Sequence, residues 1–108
     1  MKLILAIISD EDSSKVIAEL SKNDFGVTKL ATTGGFLRSG NMTLLIGTED
    51  EKVQDAIDII KEKCKKRTKV VATSMGIGAI GALAPMPVEV NVGGATIFVV
   101  DVDRFEKV

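Results

Sequence analysis

The sequence predicts an α+β sandwich of the ferredoxin-like βαββαβ type, with a long loop and an extra hairpin before the last strand. Two observations carry this. A plan of apolar strand, hydroxyl-acid turn and amphipathic helix occurs twice, in LAIISDEDSSKVIAEL and LLIGTEDEKVQDAIDII. A late β-rich stretch, PVEVNVGGATIFVV, then supplies the strand that completes the second half. The likeness is one of architecture and not of a strict period. With 108 residues the chain forms one domain, residues 1–108.

Lys2 to Ile8 (KLILAII) is a nearly continuous apolar run, the pattern of a strand covered on at least one face. Ser9-Asp10-Glu11-Asp12 fits a helix start, and Val16, Ile17 and Leu20 mark one face of a helix ending near Asn23. Val27 to Thr32 is a short strand, and Asn41 to Ile46 (NMTLLI) is the next. Thr48-Glu49-Asp50-Glu51 reads as a capping box. Val53, Ala56, Ile57, Ile60 and Cys64 then recur at helical spacing. Between Lys65 and Pro87 the chain makes an irregular excursion containing a plausible strand, Lys69 to Thr73. Such a length of chain is more often functional than filler. The alternating run VEVNV and the run ATIFVV, joined through Asn-Val-Gly-Gly, read as a hairpin or a strongly bent strand.

Composition excludes several functions. Fourteen basic and fifteen acidic residues leave a net charge of −1, so no overall field favours nucleic acid or an anionic membrane. There is no histidine, hence no His general base and no imidazole metal ligand. A single cysteine, Cys64, rules out a disulfide framework and a thiolate metal cluster. It lies on the apolar stripe of the second helix and reads as a small buried residue. The acids at the two helix starts are accounted for by capping, so no metal is expected. No run of about 18 apolar residues occurs, and the opening run lacks a cleavage pattern. A soluble, cytoplasmic protein is expected. Lys61, Lys63, Lys65, Lys66, Arg67 and Lys69 crowd the end of the second helix, where cations complement the dipole and solvate the surface.

Two glycine patterns need weighing. Gly76 to Gly81 (GIGAIG) is a formal G-x-G-x-x-G, but Pro85 and Pro87 stop any helix to receive a pyrophosphate. Gly35 and Gly40 have phosphate-loop spacing, but Asn41-Met42 stand where Lys-Ser/Thr is required. The segment KLATTGGFLRSGN, Lys29 to Asn41, has a different chemistry. Gly34-Gly35 allows close backbone approach and exposes amides suited to phosphate oxygens. Thr28, Thr32, Thr33 and Asn41 add donors, and Lys29 and Arg38 add charge. Phe36 offers a face on which a base stacks; equally, Phe36 and Leu37 suit an anchor against another subunit.

These residues bear a family resemblance. The SDEDS turn, TKLATTGGFLRSGN, LLIGTEDEKV and PVEVNVGGATIFVVDVDRF resemble the PII-like cyclic di-AMP receptor proteins (the PstA/DarA family), nearly end to end. The resemblance implies a homotrimer of PII-like protomers, a dinucleotide in each cleft between subunits, and a signal receptor without catalytic activity. It implies that Thr28 donates to a phosphate or base edge. Gly35, Phe36 and Leu37 would form the wall and backbone donors of the loop holding one adenine. Asn41 would hydrogen-bond the ligand from the next strand, Gly47 would allow close approach, and Phe98 would add an apolar contact. Asp24 and Gly26 depart from the Asn and basic residue expected of relatives, and the loop around GIGAIGALA is less polar than theirs.

The reading is therefore a binding protein whose ligand is cyclic di-AMP, with no cofactor and no catalytic residue. Its partners are further copies of itself and a downstream protein that the sequence does not identify. The alternative is a PII-like regulator of ATP or another adenine nucleotide. An enzyme acting on nucleotides ranks last.

Overall fold

The computed structural model describes residues 1–30, 40–72 and 87–108. Its elements are β1 (Lys2–Ser9), α1 (Ser13–Lys22), β2 (Val27–Leu30), β3 (Asn41–Thr48), α2 (Val53–Lys63), β4 (Arg67–Ala72), β5 (Pro87–Val92) and β6 (Ala95–Asp101). The main sheet has the order β2-β3-β1-β6, with every neighbouring pair antiparallel. β1 and β2 therefore run parallel with β3 between them, and β3 and β6 run parallel with β1 between them. These are two interleaved βαβ units, an α+β arrangement compatible with a ferredoxin-like sandwich.

The core lies on one face. Ile4, Ala6 and Ile8 of β1 and Met42, Leu44 and Ile46 of β3 are buried under Val16 and Leu20 of α1 and Ala56 and Ile60 of α2. The strand period of two sends Leu3, Leu5, Ile7 and Leu45 to the other face, where they are only partly buried. The unbroken apolar run of β1 thus serves both faces, and among the described residues only one of them is covered by helices.

Of the two readings of the late strands, a hairpin or a strong bend, the structure contradicts the hairpin. β5 and β6 do not pair with each other; β5 pairs with β4 in a separate two-stranded sheet, and β6 joins β1. Asn-Val-Gly-Gly is a passage between two sheets. Gly93 (φ 92°) and Gly94 (φ 87°) turn the chain through left-handed conformations that favour glycine. The extra hairpin before the last strand is thus formed by β4 and β5. The strand read at Lys69 to Thr73 appears as Arg67–Ala72.

The two caps also differ from the sequence expectation. One turn of 3₁₀ helix precedes each α-helix, at Asp10–Asp12 and Asp50–Lys52; Ser9 stands at the first cap without a side-chain capping bond, and Glu49, not Thr48, stands at the second. The 3₁₀ turn moves the first α-helical amides beyond reach of those hydroxyls. Ser13 instead donates to the Asp10 carbonyl at 3.0 Å. Among the described residues no helix is long and apolar enough to cross a membrane.

Candidate functional site

The register of the main sheet orders the face away from the helices into rows. Thr28, Leu45, Leu5 and Phe98 form one row across all four strands. Gly47, Leu3 and Val100 form the next. Asn41 ends β3 opposite Ser9. Thr28, Asn41, Gly47 and Phe98, the sequence-predicted site residues in the described chain, therefore share one face. Gly35, Phe36 and Leu37 lie outside the described residues, as do Thr32, Thr33, Arg38 and the GIGAIG segment.

They do not share one place on that face. Thr28 and Phe98 stand at opposite edges, about 14 Å apart at the usual strand spacing. Asn41 and Gly47 are six residues apart on β3, about 20 Å along the strand. Lys29, expected to add charge beside Thr28, belongs to the opposite face, because it pairs with the inward Leu44.

A cavity of about 360 Å³ marks the Gly47 end. Its lining includes Leu3, Gly26, Thr28, Leu45, Gly47 and Phe105. Among the described residues, an alanine methyl at Gly26 would meet nothing within 4 Å, and at Gly47 only the Met1 methyl at 3.8 Å. The strands therefore leave open space over an apolar floor, with the Thr28 hydroxyl beside it. Phe105 was not foreseen as a site residue. Its one sequence signal is an isolated aromatic among charged residues after the last strand, in VDRFEK.

A second hollow, of about 250 Å³, marks the Asn41 end, where Ser9, Asn41, Lys66 and Thr96 meet the Gly93-Gly94 turn. Beside it a cleft of about 350 Å³ runs between Asp10, Gly40 and Asn41 on one side and Asn91 and Gly93 on the other. The Asp10 amide donates to the Gly40 carbonyl at 2.9 Å, tying the exit of the glycine-rich segment to the turn after β1. Hydroxyl, amide and ammonium groups dominate here, a polar counterpart to the apolar cavity at the other end.

Next to this polar end lies a charged cluster. Asp12 is fully buried, and its Oδ1 accepts from Arg67 Nη2 at 2.8 Å and lies 3.3 Å from the Lys15 ammonium. Arg67 Nη1 donates to the Lys65 carbonyl at 2.9 Å, and Lys69 reaches Glu11 at 3.3 Å. Burial pushes the Asp12 carboxyl upward, but hydrogen bonds from Arg67 and Lys15 and their charges outweigh it, leaving it below its usual 3.8. Cys64 is buried close by, and burial, with the Asp12 charge, pushes its thiol up to about 11. That thiol is protonated at neutral pH and a poor nucleophile. Among the described residues no group of His, Cys, Asp and Glu is placed to hold a metal ion.

Comparison with known proteins identifies the family. A family model described as a cyclic-di-AMP receptor matches residues 1–108. The chain is also similar to the crystal structure of a functionally unknown protein from Pediococcus pentosaceus. That match has a TM-score of 0.75 and 38% sequence identity, covering 99% of this chain and 96% of the other.

Proposed function

The chain belongs to the cyclic-di-AMP receptor family, and from that premise we propose that it is a non-catalytic signal receptor for cyclic di-AMP. It works as a cytoplasmic homotrimer of PII-like protomers and holds the dinucleotide in clefts between subunits. The observation that carries this reading is the family match over the whole chain. The shared cavity of Thr28 and Gly47 supports it, because it offers a hydroxyl donor beside open, apolar space.

The distance along β3 supports a composite cleft. One protomer supplies the apolar Thr28–Gly47 end, and a neighbour supplies a second wall. Three further observations favour assembly on this face: Leu3, Leu5, Ile7 and Leu45 lack helical cover, Phe98 and Val100 are exposed, and Leu30 extends the patch. Gly35, Phe36 and Leu37 are assigned to the wall around one adenine, and Asn41 to a hydrogen bond with the ligand. Binding reorders the glycine-rich segments that follow β2 and β4, and a downstream protein reads the altered surface.

Isothermal titration calorimetry of the full chain with cyclic di-AMP tests this. Saturable binding with one ligand per protomer is expected, in a particle with the sedimentation mass of three chains. Absence of heat at tens of micromolar ligand removes the assignment. Competition by ATP at equal concentration would favour an adenine nucleotide regulator instead.

A further inference from the structure

After β6 the chain turns back across the end of the main sheet. The Val102 amide donates to the Met1 carbonyl at 3.2 Å, and Arg104 pairs with Glu106 at 2.6 Å. This path brings Phe105 to the rim of the cavity that holds Thr28 and Gly47. Phe105 remains 59% exposed, whereas Phe25 is 8% exposed and belongs to the core. Among the described residues the hydrophobic core does not include the Phe105 ring.

The rest of the cavity lining is equally unusual. Gly26 and Gly47 both line it, yet neither has a positive φ and neither is crowded by the described residues. Protomer packing alone therefore does not require glycine at either position. What the two glycines do is leave open space in a cavity that an aromatic side chain also lines. Leu3 and Leu45 provide an apolar floor, and Thr28 provides a hydroxyl at one edge. An apolar cavity lined by an aromatic ring and by one hydrogen-bonding group suits a purine, which has an extended π-face and a polar rim. The cavity, at about 360 Å³, lies within the range of small-molecule sites.

We propose that Phe105 is a ligand-contacting residue, the stacking platform for one adenine of the bound dinucleotide. This rests on the receptor reading above and adds a recognition element from the C-terminal segment. The stack discriminates by shape: a purine covers the ring, and a pyrimidine covers less of it. The segment also couples the ligand to the chain end, since the same turn that places Phe105 is fixed to Met1.

The chain contains no tryptophan and no tyrosine, so a Phe105→Trp variant carries a single strong fluorophore. Titration of the full-length variant with cyclic di-AMP should quench its emission saturably, at the affinity found by calorimetry. Phe105→Ala should weaken binding at least tenfold and Phe105→Leu by less; both leave the sedimentation mass unchanged. Calorimetry on the unaltered protein comes first: no binding there overturns the receptor reading and this proposal with it. Normal binding by the unaltered protein, with undiminished affinity in Phe105→Ala or unchanged emission in Phe105→Trp, overturns the proposal alone. A smaller particle for Phe105→Ala would also overturn it, by making the ring a contact between copies.

Discussion

Asp12 and Arg67 are fifty-five positions apart and meet at 2.8 Å, joining the turn before α1 to the first residue of β4. The pair is asymmetric, because the carboxylate is wholly buried while the guanidinium side chain is 37% exposed. Arg67 also accounts for the local chain path, since its other nitrogen holds the Lys65 carbonyl. A two-stranded sheet is marginal alone, and this contact ties β4 and β5 to the body.

Replacing Asp12 by Ala should lower stability by about 2 kcal/mol, the usual loss for a buried charged hydrogen bond. The pH dependence has a definite sign. Asp12 titrates below 3.8 in the folded protein, so its contribution is complete above that value and is lost as pH falls through the folded pKa. Thermal unfolding from about pH 6 to pH 2 should therefore show the unaltered protein converging on Asp12→Ala at the acid end. A constant gap across that range would contradict the assignment.

Gly93 should be the less replaceable of the two glycines between β5 and β6. Its φ is 92°, and an added Cβ would lie 2.4 Å from the Lys65 carbonyl oxygen, which the backbone fixes. At Gly94 the nearest atoms belong to the Lys66 side chain, at 3.2 Å, and these can move. Gly93→Ala should destabilise by roughly 2–4 kcal/mol and Gly94→Ala by roughly 1–2. Urea midpoints of the two variants test the order, and equal midpoints would refute it.

Gly47→Ala should separate folding from binding. Among the described residues the new methyl meets only the Met1 methyl at an ordinary 3.8 Å, so the melting temperature should stay within about 3 °C of the parent. The same methyl intrudes on the cavity beside Thr28, and calorimetry should show cyclic di-AMP binding weakened about tenfold or more.

Phe98→Glu should dissociate the trimer proposed above. Phe98 is 53% exposed on the edge strand β6, so the protomer itself loses little by the change. A carboxylate set against the apolar face of another copy would be strongly unfavourable. Sedimentation velocity should report a single-chain particle with an unaltered far-ultraviolet dichroism spectrum. A persistent trimer would remove this face from the interface.

The parts legible in the sequence were those governed by local periodicity. The stripe of Val53, Ala56, Ile57, Ile60 and Cys64 became α2 and its following turn, with Ala56, Ile60 and Cys64 buried. KLILAII became β1, and its lack of alternation was itself a signal that the second face is apolar. The pairing of β5 with β4 was not legible, because it is set between segments distant in sequence, at a corner fixed by Arg67 and Asp12. The caps at Ser9 and Thr48 failed because a 3₁₀ turn and a capped α-helix share the same residues. The candidate site was read through residue types along KLATTGGFLRSGN, which cannot tell the two faces of a strand apart. Thr28 and Lys29 are neighbours in the chain and face opposite ways. Phe105 carries no periodic signal, and only the path of the chain after β6 brings it to Thr28.

The length of β3 has a consequence for dosage. If its two ends serve different clefts, an isolated chain carries two half-sites and no complete one. Mass action then makes the number of working sites rise more steeply than the number of chains at low expression. A cell holding few copies would be deaf to a nucleotide level that a cell with many copies detects. The response threshold would thus be written in two quantities, the messenger and the abundance of its own detector.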